Sequence, residues 1–213
     1  MPLLTMNRRF ALTAMAAAGV LGTLPAAAAE LPRDTSATAR QLVRWATETG
    51  DHQGLPFAVI DKPAARIHVF SAQGQWLSSA PVLLGAALGD RSAPDIGQRP
   101  LSQIRPEERT TPAGRFVTEP GRNLRGDDIV WIDYESAVSL HRVRSVHAAE
   151  RRQQRLASRG VSDKRISYGC VNAPEAFYNQ FIAPVFGQAR GVVYVLPDTE
   201  PFATFFIAAS AYP

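Results

Sequence analysis

Cysteine is almost missing from this 213-residue sequence, in which Cys170 is the single one. One thiol cannot form a disulfide within the chain, so the fold has to be held together by its core. Histidine is also scarce: the four histidines and the cysteine lack the close Cys-x-x-Cys or His-x-x-x-His spacing of a zinc site. The sequence therefore predicts no metal site.

A basic stripe interleaved with aromatic residues, the usual mark of a nucleic-acid-binding protein, is absent as well. The net charge is +4, and aromatic residues make up 8% of the chain. Two of the arginines, Arg8 and Arg9, stand in the first 29 residues, which contain no acidic residue. Removing that segment lowers the net charge by 2, from +4 to +2. We therefore expect no nucleic-acid partner.

The N-terminal segment has the three parts of an export signal. Asn7-Arg8-Arg9 is basic, residues 10–24 are apolar, and residues 25–29 are a small-residue cleavage region. We predict a signal peptide over residues 1–29 and a protein exported to the periplasm or the cell envelope. The paired arginines leave the general secretory and twin-arginine routes open, and an uncleaved membrane anchor is the alternative.

After residue 29 the sequence predicts one helix followed by a β-rich domain. Residues 30–54 form a helical lead-in, which a polar residue at 34–36 caps and Gly50 ends. From residue 55 the hydrophobic period changes to two, so residues 55–213 are predicted as one α+β domain, mainly β, with an antiparallel or mixed sheet and a few peripheral helices. His68 is expected to face solvent or to be satisfied by a hydrogen bond within a strand. The strands are expected at residues 57–61, 66–70, 75–84, 129–132, 137–140 and 191–196.

Two segments rich in arginine interrupt the strands. Residues 85–109 have no hydrophobic period and are predicted as a long loop, whose arginines are available to a substrate carboxylate. These are Arg91, Arg99, Arg105 and Arg109. Residues 146–159 are predicted as a helix that Gly160 ends, with a basic face that is solvated or that contacts an anionic envelope polymer or lipid headgroups. That face consists of Arg151, Arg152, Arg155 and Arg159.

The single cysteine stands in a segment with the features of a reactive site. Asn172, Pro174 and Glu175 follow it with the spacing of a helix N-cap, so Cys170 is predicted just ahead of a helix N-terminus. Unpaired N–H groups and the helix dipole at such a position lower the pKa of a thiol, and Gly169 allows close approach of a substrate. The alternative is a small buried apolar side chain without chemistry.

A cysteine nucleophile needs a base, and the candidates are His141 and His147, which both precede it. His141 ends a predicted strand and is preferred, because His147 falls in the first turn of the basic helix. The histidine would take the thiol proton, the thiolate would attack a carbonyl carbon, and the N–H groups of Gly169 and Cys170 would bind the oxyanion. This order of histidine and cysteine excludes a papain-like protease, in which it is reversed.

Residues 167–172, Ser-Tyr-Gly-Cys-Val-Asn, follow residues 111–116, Thr-Pro-Ala-Gly-Arg-Phe, along the chain. The pair resembles two motifs of the L,D-transpeptidase catalytic domain of bacterial cell-wall enzymes, namely Ser/Thr-His-Gly-Cys-x-Asn/Arg and Thr-Pro-x-Gly-x-Phe. The resemblance covers residues 57–196 and departs from the pattern in two places. Tyr168 replaces the motif histidine, and the interval of 29 residues from His141 to Cys170 is longer than is usual in the family.

The resemblance implies a role for each residue of the site. The nucleophile is Cys170, the general base is His141, and Gly169 is the glycine of the oxyanion loop. The hydroxyl or carbonyl of Ser167 is expected to orient the base, and Asn172 is expected to brace the loop. Tyr168 occupies a supporting position in the same motif.

The resemblance also implies an activity, an exported peptidoglycan L,D-transpeptidase that needs no cofactor. The thiolate attacks the carbonyl at the L-centre of a diamino-acid residue in a stem peptide, releases a terminal D-amino acid, and passes the acyl group to an amine of another stem. One alternative uses water as the acceptor, as an L,D-carboxypeptidase or endopeptidase does. The other is a non-catalytic wall-binding protein, which Tyr168 and the long interval before Cys170 suggest.

Overall fold

The computed structural model describes residues 30–144 and 147–212. The predicted signal peptide, residues 1–29, lies outside these residues, as do Ser145 and Val146 of the predicted basic helix. None of the helices within the described ranges is both long enough and apolar enough to cross a membrane.

The lead-in helix α1 spans Ala37–Thr49 and begins and ends where the sequence predicts. Oγ of Ser36 accepts a hydrogen bond from the N–H of Ala39 at 3.1 Å and so caps the first turn. Gly50 ends the helix in the left-handed conformation, with a φ of +69°, which glycine adopts without steric cost. The apolar face of α1 is buried against one face of the sheet.

The centre of the fold is a mixed sheet. Eight strands lie in the order β3-β2-β1-β10-β5-β6-β7-β9, and β4 pairs with β8 at one side. The strands β1, β2 and β3 form the predicted antiparallel meander, whereas the β1–β10 and β7–β9 pairs are parallel. The predicted α+β class with a mixed sheet is confirmed. The strands are β1 Phe57–Asp61, β2 Arg66–Phe70, β3 Trp76–Pro81, β4 Leu84–Gly85, β5 Gly114–Arg122, β6 Asp128–Asp133, β7 Val138–Arg142, β8 Arg165–Ser167, β9 Val171–Ala173 and β10 Gly191–Val195.

Short helices follow or flank the strands. A π-helical turn over Tyr178–Ile182 joins α3 to α4, which makes one helical segment on one face of the sheet. The C-terminal residues form α5 and α6 beside α1. Besides α1, the α-helices of the described residues are α2 Arg152–Ala157, α3 Glu175–Phe177, α4 Ala183–Phe186, α5 Phe202–Phe205 and α6 Ile207–Ser210.

Both faces of the sheet are covered, so its central strands are buried on both sides. In β10, Val193 and Val195 pack in the cluster that contains α3 and α4, while Val192 and Tyr194 pack in the cluster that contains α1 and α6. Successive side chains of a strand point to opposite faces, and here each face has an apolar partner. A strand in this position is apolar throughout, as the Gly-Val-Val-Tyr-Val run of β10 is.

The prediction of one basic helix over residues 146–159 is wrong, both in the length of the helix and in the exposure of its arginines. Arg151 adopts the left-handed conformation, with a φ of +49°, and separates a single 3-10 turn from the short helix α2. The side chain of Arg152 is 12% exposed and donates to Oδ1 of Asn172, and Arg155 donates to two backbone carbonyls. The four arginines therefore do not form one solvated helix face, because two of them bind acceptors of the protein itself.

The loop of residues 85–109 contains three 3-10 turns. Most of its arginines bind carboxylates of the protein, so their charges are balanced without a substrate. The pairs are Arg91 with Glu200, and both Arg99 and Arg105 with Glu108. The predicted availability of these three arginines to a substrate carboxylate is thereby reduced.

His68 is fully buried in β2, which corrects the solvent-facing alternative. Its Nδ1 lies 2.7 Å from Oγ of Ser79, while its Nε2 has no hydrogen-bond partner among the described residues. Burial lowers the pKa of His68 from 6.5 to about 4, an effect that the nearby Asp61 carboxylate opposes only in part. The His68 ring is therefore neutral in the folded chain at neutral pH.

We expect acid to destabilise the fold through His68. The pKa of His68 is about 4 in the folded chain, whereas the unfolded chain has the ordinary value of 6.5. Between these pH values the unfolded chain therefore binds more protons than the folded chain does. The stabilisation is complete above pH 6.5 and falls with pH, by up to about 3 kcal/mol at pH 4. Urea unfolding across this range should show a smaller pH dependence for His68→Gln than for the wild type. An identical pH dependence in the two proteins would contradict the assignment.

Candidate active site

Cys170 lies in the turn between β8 and β9, with its thiol half-buried. Its Sγ is 3.6 Å from Oγ of Ser139 and 3.6 Å from the carbonyl oxygen of Ala137. Ala137 has a φ of +54°, which is unusual for a residue with a Cβ and sets the direction of that carbonyl. The end of the β6–β7 turn therefore contacts the thiol directly.

The segment after Cys170 is a strand, which corrects the prediction of a helix N-cap at Asn172. The strand β9 pairs in parallel with β7, so that His141 lies opposite Asn172, and the backbone of Asn172 also pairs with Leu83 on its other side. The first helical residue is Glu175, and its helix has no side-chain cap. Sheet pairing on both sides overrides the local cap signal, and the thiol does not lie at a helix N-terminus.

His141 is placed so that the proton positions on its ring can be deduced. Its Nδ1 is 2.7 Å from the carbonyl oxygen of Arg142, and its Nε2 is 3.2 Å from Nδ2 of Asn172. A carbonyl can only accept, so Nδ1 carries the proton, and the lone pair of Nε2 accepts from Nδ2 of Asn172. His147, the other candidate base, is exposed ahead of the Ala148–Glu150 turn.

The environment of Cys170 favours the thiolate. Burial raises the pKa of the thiol, but the neighbouring His141 ring, together with Ser139, lowers it by more. The pKa of Cys170 therefore lies below its ordinary value. The structure thus brings together Cys170 and His141, the two residues that the sequence places in the nucleophile and base roles.

Ser167 braces the turn that carries the thiol and does not contact His141. Its Oγ donates to the carbonyl of Cys170 at 2.6 Å and accepts from the N–H of Gly169 at 3.1 Å. The expected role of Ser167 in orienting the base falls to the carbonyl of Arg142. Because the N–H of Gly169 is engaged, the N–H of Cys170 is the remaining candidate of the two predicted oxyanion donors.

The Thr-Pro segment of the second motif supports the same turn. Gly169 has a φ of +130°, and a Cβ on it would lie 2.7 Å from the carbonyl oxygen of Thr110. Oγ1 of Thr111 donates to the carbonyl of Gly169 at 2.8 Å and accepts from the N–H of Gly85 at 2.9 Å. The sequence motif contains Thr111 but does not reveal this role, because both partners of its hydroxyl lie far away along the chain.

Tyr168, which replaces the motif histidine, contacts the long loop. The guanidinium of Arg109 lies over the Tyr168 ring, 4.2 Å from its centroid, and the side chain remains 37% exposed. Such stacking is a cation–π contact. It ties the residue next to the active turn to the loop of residues 85–109.

A groove of about 900 Å³ lies next to the β6–β7 turn, and neither Cys170 nor His141 belongs to its lining. Ala137 belongs to its lining, and the carbonyl of Ala137 is the oxygen that contacts Sγ. Trp131 and Tyr134 form an edge-to-face aromatic pair in the wall, with ring centroids 5.2 Å apart. Charged side chains of both signs complete the lining: Asp95, Arg122 and Glu135.

Comparison with known proteins gives matches among solved structures. No protein-family model matches the chain, and no curated protein does. An L,D-transpeptidase in complex with imipenem is 19% identical, with a TM-score of 0.38, over 66% of this chain and 58% of that one. L,D-transpeptidase 1 of Mycobacterium tuberculosis is 17% identical, with a TM-score of 0.37, over 66% of this chain and 61% of that one. The helical cell shape determining protein Pgp2 of Campylobacter jejuni is 12% identical, with a TM-score of 0.43, over 78% of this chain and 58% of that one.

In each of these three alignments, the chain spans less than two thirds of the length of the other protein. At these identities and TM-scores the likeness assigns no activity, and residue roles rest on the sequence motifs and on the geometry of the site. Most of the solved structures that this chain matches are named as L,D-transpeptidases, the family whose two motifs its sequence resembles.

Proposed function

We propose that this protein is an exported cysteine acyltransferase that acts on peptidoglycan stem peptides, as an L,D-transpeptidase. The observation that carries the proposal is the pairing of a half-buried thiol of lowered pKa, Cys170, with a histidine whose Nε2 presents a lone pair. The two motifs around Thr111 and Cys170 support the substrate class. The basic and apolar N-terminal segment supports export.

The site has the groups that acyl transfer needs. Nε2 of His141 gives up the hydrogen bond from Nδ2 of Asn172 and takes the proton of the Cys170 thiol, and Sγ attacks the carbonyl carbon at the L-centre of the donor peptide. The N–H of Cys170 stabilises the negative charge on the carbonyl oxygen. The C–N bond to the terminal D-amino acid then breaks, its nitrogen takes the proton back from His141, and a thioester remains on Cys170.

The second half of the reaction uses the same two residues in reverse. An amine of another stem attacks the thioester carbon, His141 accepts the proton of that amine, and the C–S bond breaks to regenerate Cys170. The groove beside Ala137 supports this role, because its aromatic wall and its charges of both signs suit a peptide with amines and carboxylates. No cofactor takes part in the proposed reaction.

Products from a purified stem tetrapeptide test the proposal. We expect the wild type to form cross-linked dimers with release of the terminal D-amino acid, detected by chromatography and mass spectrometry. Cys170→Ala should form none. Tripeptide without dimer would assign water as the acceptor and replace transfer by hydrolysis. An unchanged tetrapeptide would contradict both enzyme activities and favour the non-catalytic wall-binding alternative.

A further inference from the structure

Arg152 lies in the segment that separates His141 from Cys170, and its side chain reaches back to β9. Its Nη1 donates to Oδ1 of Asn172 at 2.5 Å, and its Nε donates to Oε2 of Glu150 at 2.6 Å. Asn172 is fully buried, and the Arg152 side chain is 12% exposed. The guanidinium is thus fixed by a carboxylate on one side and holds a buried amide on the other.

A guanidinium has only donors, so Arg152 determines which end of the Asn172 amide faces it. Oδ1 turns toward Arg152, and Nδ2 is left facing Nε2 of His141 at 3.2 Å. On the other side of the ring, Nδ1 faces a carbonyl oxygen that can only accept. One donor and one acceptor flank the ring, and they fit a single form, the neutral imidazole with its proton on Nδ1.

We propose that Arg152 is a positioning residue that keeps His141 in the form of a base by fixing the orientation of Asn172. Without Arg152, Oδ1 of Asn172 loses its donor, and the contact from Nδ2 to the carbonyl of Cys170 is long, at 3.4 Å, so the amide can turn and place Oδ1 against Nε2. Both ring nitrogens would face oxygen acceptors, an arrangement that fits the doubly protonated ring. Such a ring cannot accept a proton from the thiol or from an acceptor amine. The role of His141 as a base is part of the proposed function, and the inference rests on that function.

The other charged groups at this corner of the sheet have different partners. Arg142, next to His141, binds the Asp128 carboxylate and the side-chain oxygen of Asn179. The hydrogen bond from Arg152 lowers the pKa of Glu150, which stays ionised as its counter-charge. Among the described residues, the Cys170 thiol is the other titratable group beside the ring. Nδ2 of Asn172 also donates to the carbonyl of Cys170, at 3.4 Å, whereas the contact of Arg152 with Oδ1 is 2.5 Å, so Arg152 makes the shorter of the two hydrogen bonds that orient the amide.

Ring-nitrogen chemical shifts of the full chain labelled with ¹⁵N-histidine test this inference. At pH 7 the wild type should show His141 protonated on Nδ1 alone, and Arg152→Met should move it toward the doubly protonated ring. An imidazolium beside the thiol favours the thiolate. We therefore expect alkylation of Cys170 by iodoacetamide at pH 6, relative to its plateau at alkaline pH, to rise about tenfold in Arg152→Met, the effect of one hydrogen bond to a charged group.

Three further variants separate positioning from a general structural effect. Arg155→Met removes an arginine of the same helix that does not contact Asn172, and both readouts should match the wild type. Arg152→Lys should keep part of the wild-type protonation pattern of the His141 ring, because an ammonium group, like a guanidinium, has only donors. Asn172→Asp keeps a partner for Arg152 but places an acceptor against Nε2, so it should shift the ring as Arg152→Met does.

Unchanged ring shifts and an unchanged pH profile in Arg152→Met or in Asn172→Asp would overturn the inference, as would an equal change in Arg155→Met. Neither readout requires acyl transfer. If the wild type forms no dimer from tetrapeptide while Arg152→Met shifts His141, the proposed function fails and the positioning role stands. If dimers form and Arg152→Met leaves the ring-nitrogen shifts of His141 unchanged, the positioning role fails and the proposed function stands.

Discussion

Replacing Lys62 by methionine is expected to lower the free energy of unfolding by about 3–5 kcal/mol, because it leaves a buried carboxylate without its cation. The Lys62 side chain is fully buried, and its Nζ donates to Oδ1 of Asp90 at 2.8 Å. It also donates to the carbonyls of Gly89 and Thr111, both at 2.7 Å. Methionine keeps much of the side-chain volume, so the loss reports the charge and its hydrogen bonds. Urea unfolding at pH 7 measures the change.

Lys62 stabilises the fold because it balances the negative charge of the buried Asp90 carboxylate. Burial would raise the pKa of Asp90, but hydrogen bonds from Lys62 and from the N–H groups of Asp198 and Glu200 bring it well below its usual range. Asp90 is therefore ionised in the wild-type fold, and removal of Lys62 takes away the first of the contacts that keep it so. A matched control is Arg91→Met, which breaks an ion pair whose arginine side chain is 67% exposed, and which should have a much smaller effect. Equal losses in the two variants would contradict the assignment.

Replacing His141 by alanine is expected to slow the acylation of Cys170 by a factor on the order of 10² to 10⁴, the range for loss of a general base. The reason is that Nε2 of His141 is the unprotonated ring nitrogen, which exchanges the hydrogen bond from Asn172 for the thiol proton, and that His141 also lowers the pKa of Cys170. The rate of adduct formation with imipenem, followed by intact mass spectrometry, measures the effect.

His147→Ala is the matched control for this variant. His147 is the other histidine that precedes Cys170 in the same interval, and it is exposed at the start of a 3-10 turn. Its removal should leave the acylation rate unchanged. A loss of rate in His147→Ala comparable to that in His141→Ala would assign the base to the wrong residue.

Most of the sheet could be predicted because its signals are local. The strands at residues 57–61 and 66–70 appear with those bounds, and the Ser36 and Gly50 signals bound the first helix. Period-two patterning and cap residues act within a few positions, so a single sequence reveals them. The strand predicted at 75–84 ends earlier, at Pro81, since proline removes a backbone donor.

The parts of the site that could not be predicted depend on partners distant in the chain. Asn172 has the local signal of a helix cap, but pairing with β7 and Leu83 makes it a buried strand residue. Arg152 falls in a run of arginines that predicts a solvated face. Its guanidinium nevertheless donates to the buried amide of Asn172, which is 20 positions later in the chain. Lys62 follows a strand at a turn, where lysine is normally exposed, and its three acceptors come from segments far along the chain.

The central claim, that Cys170 is an acylated nucleophile, is tested most directly by the intact mass of the full chain after incubation with imipenem. We expect one covalent adduct per chain in the wild type, located on Cys170 by peptide mapping, and no adduct in Cys170→Ala. A wild type without an adduct, or an adduct that persists in Cys170→Ala, would contradict the assignment of Cys170 as the nucleophile.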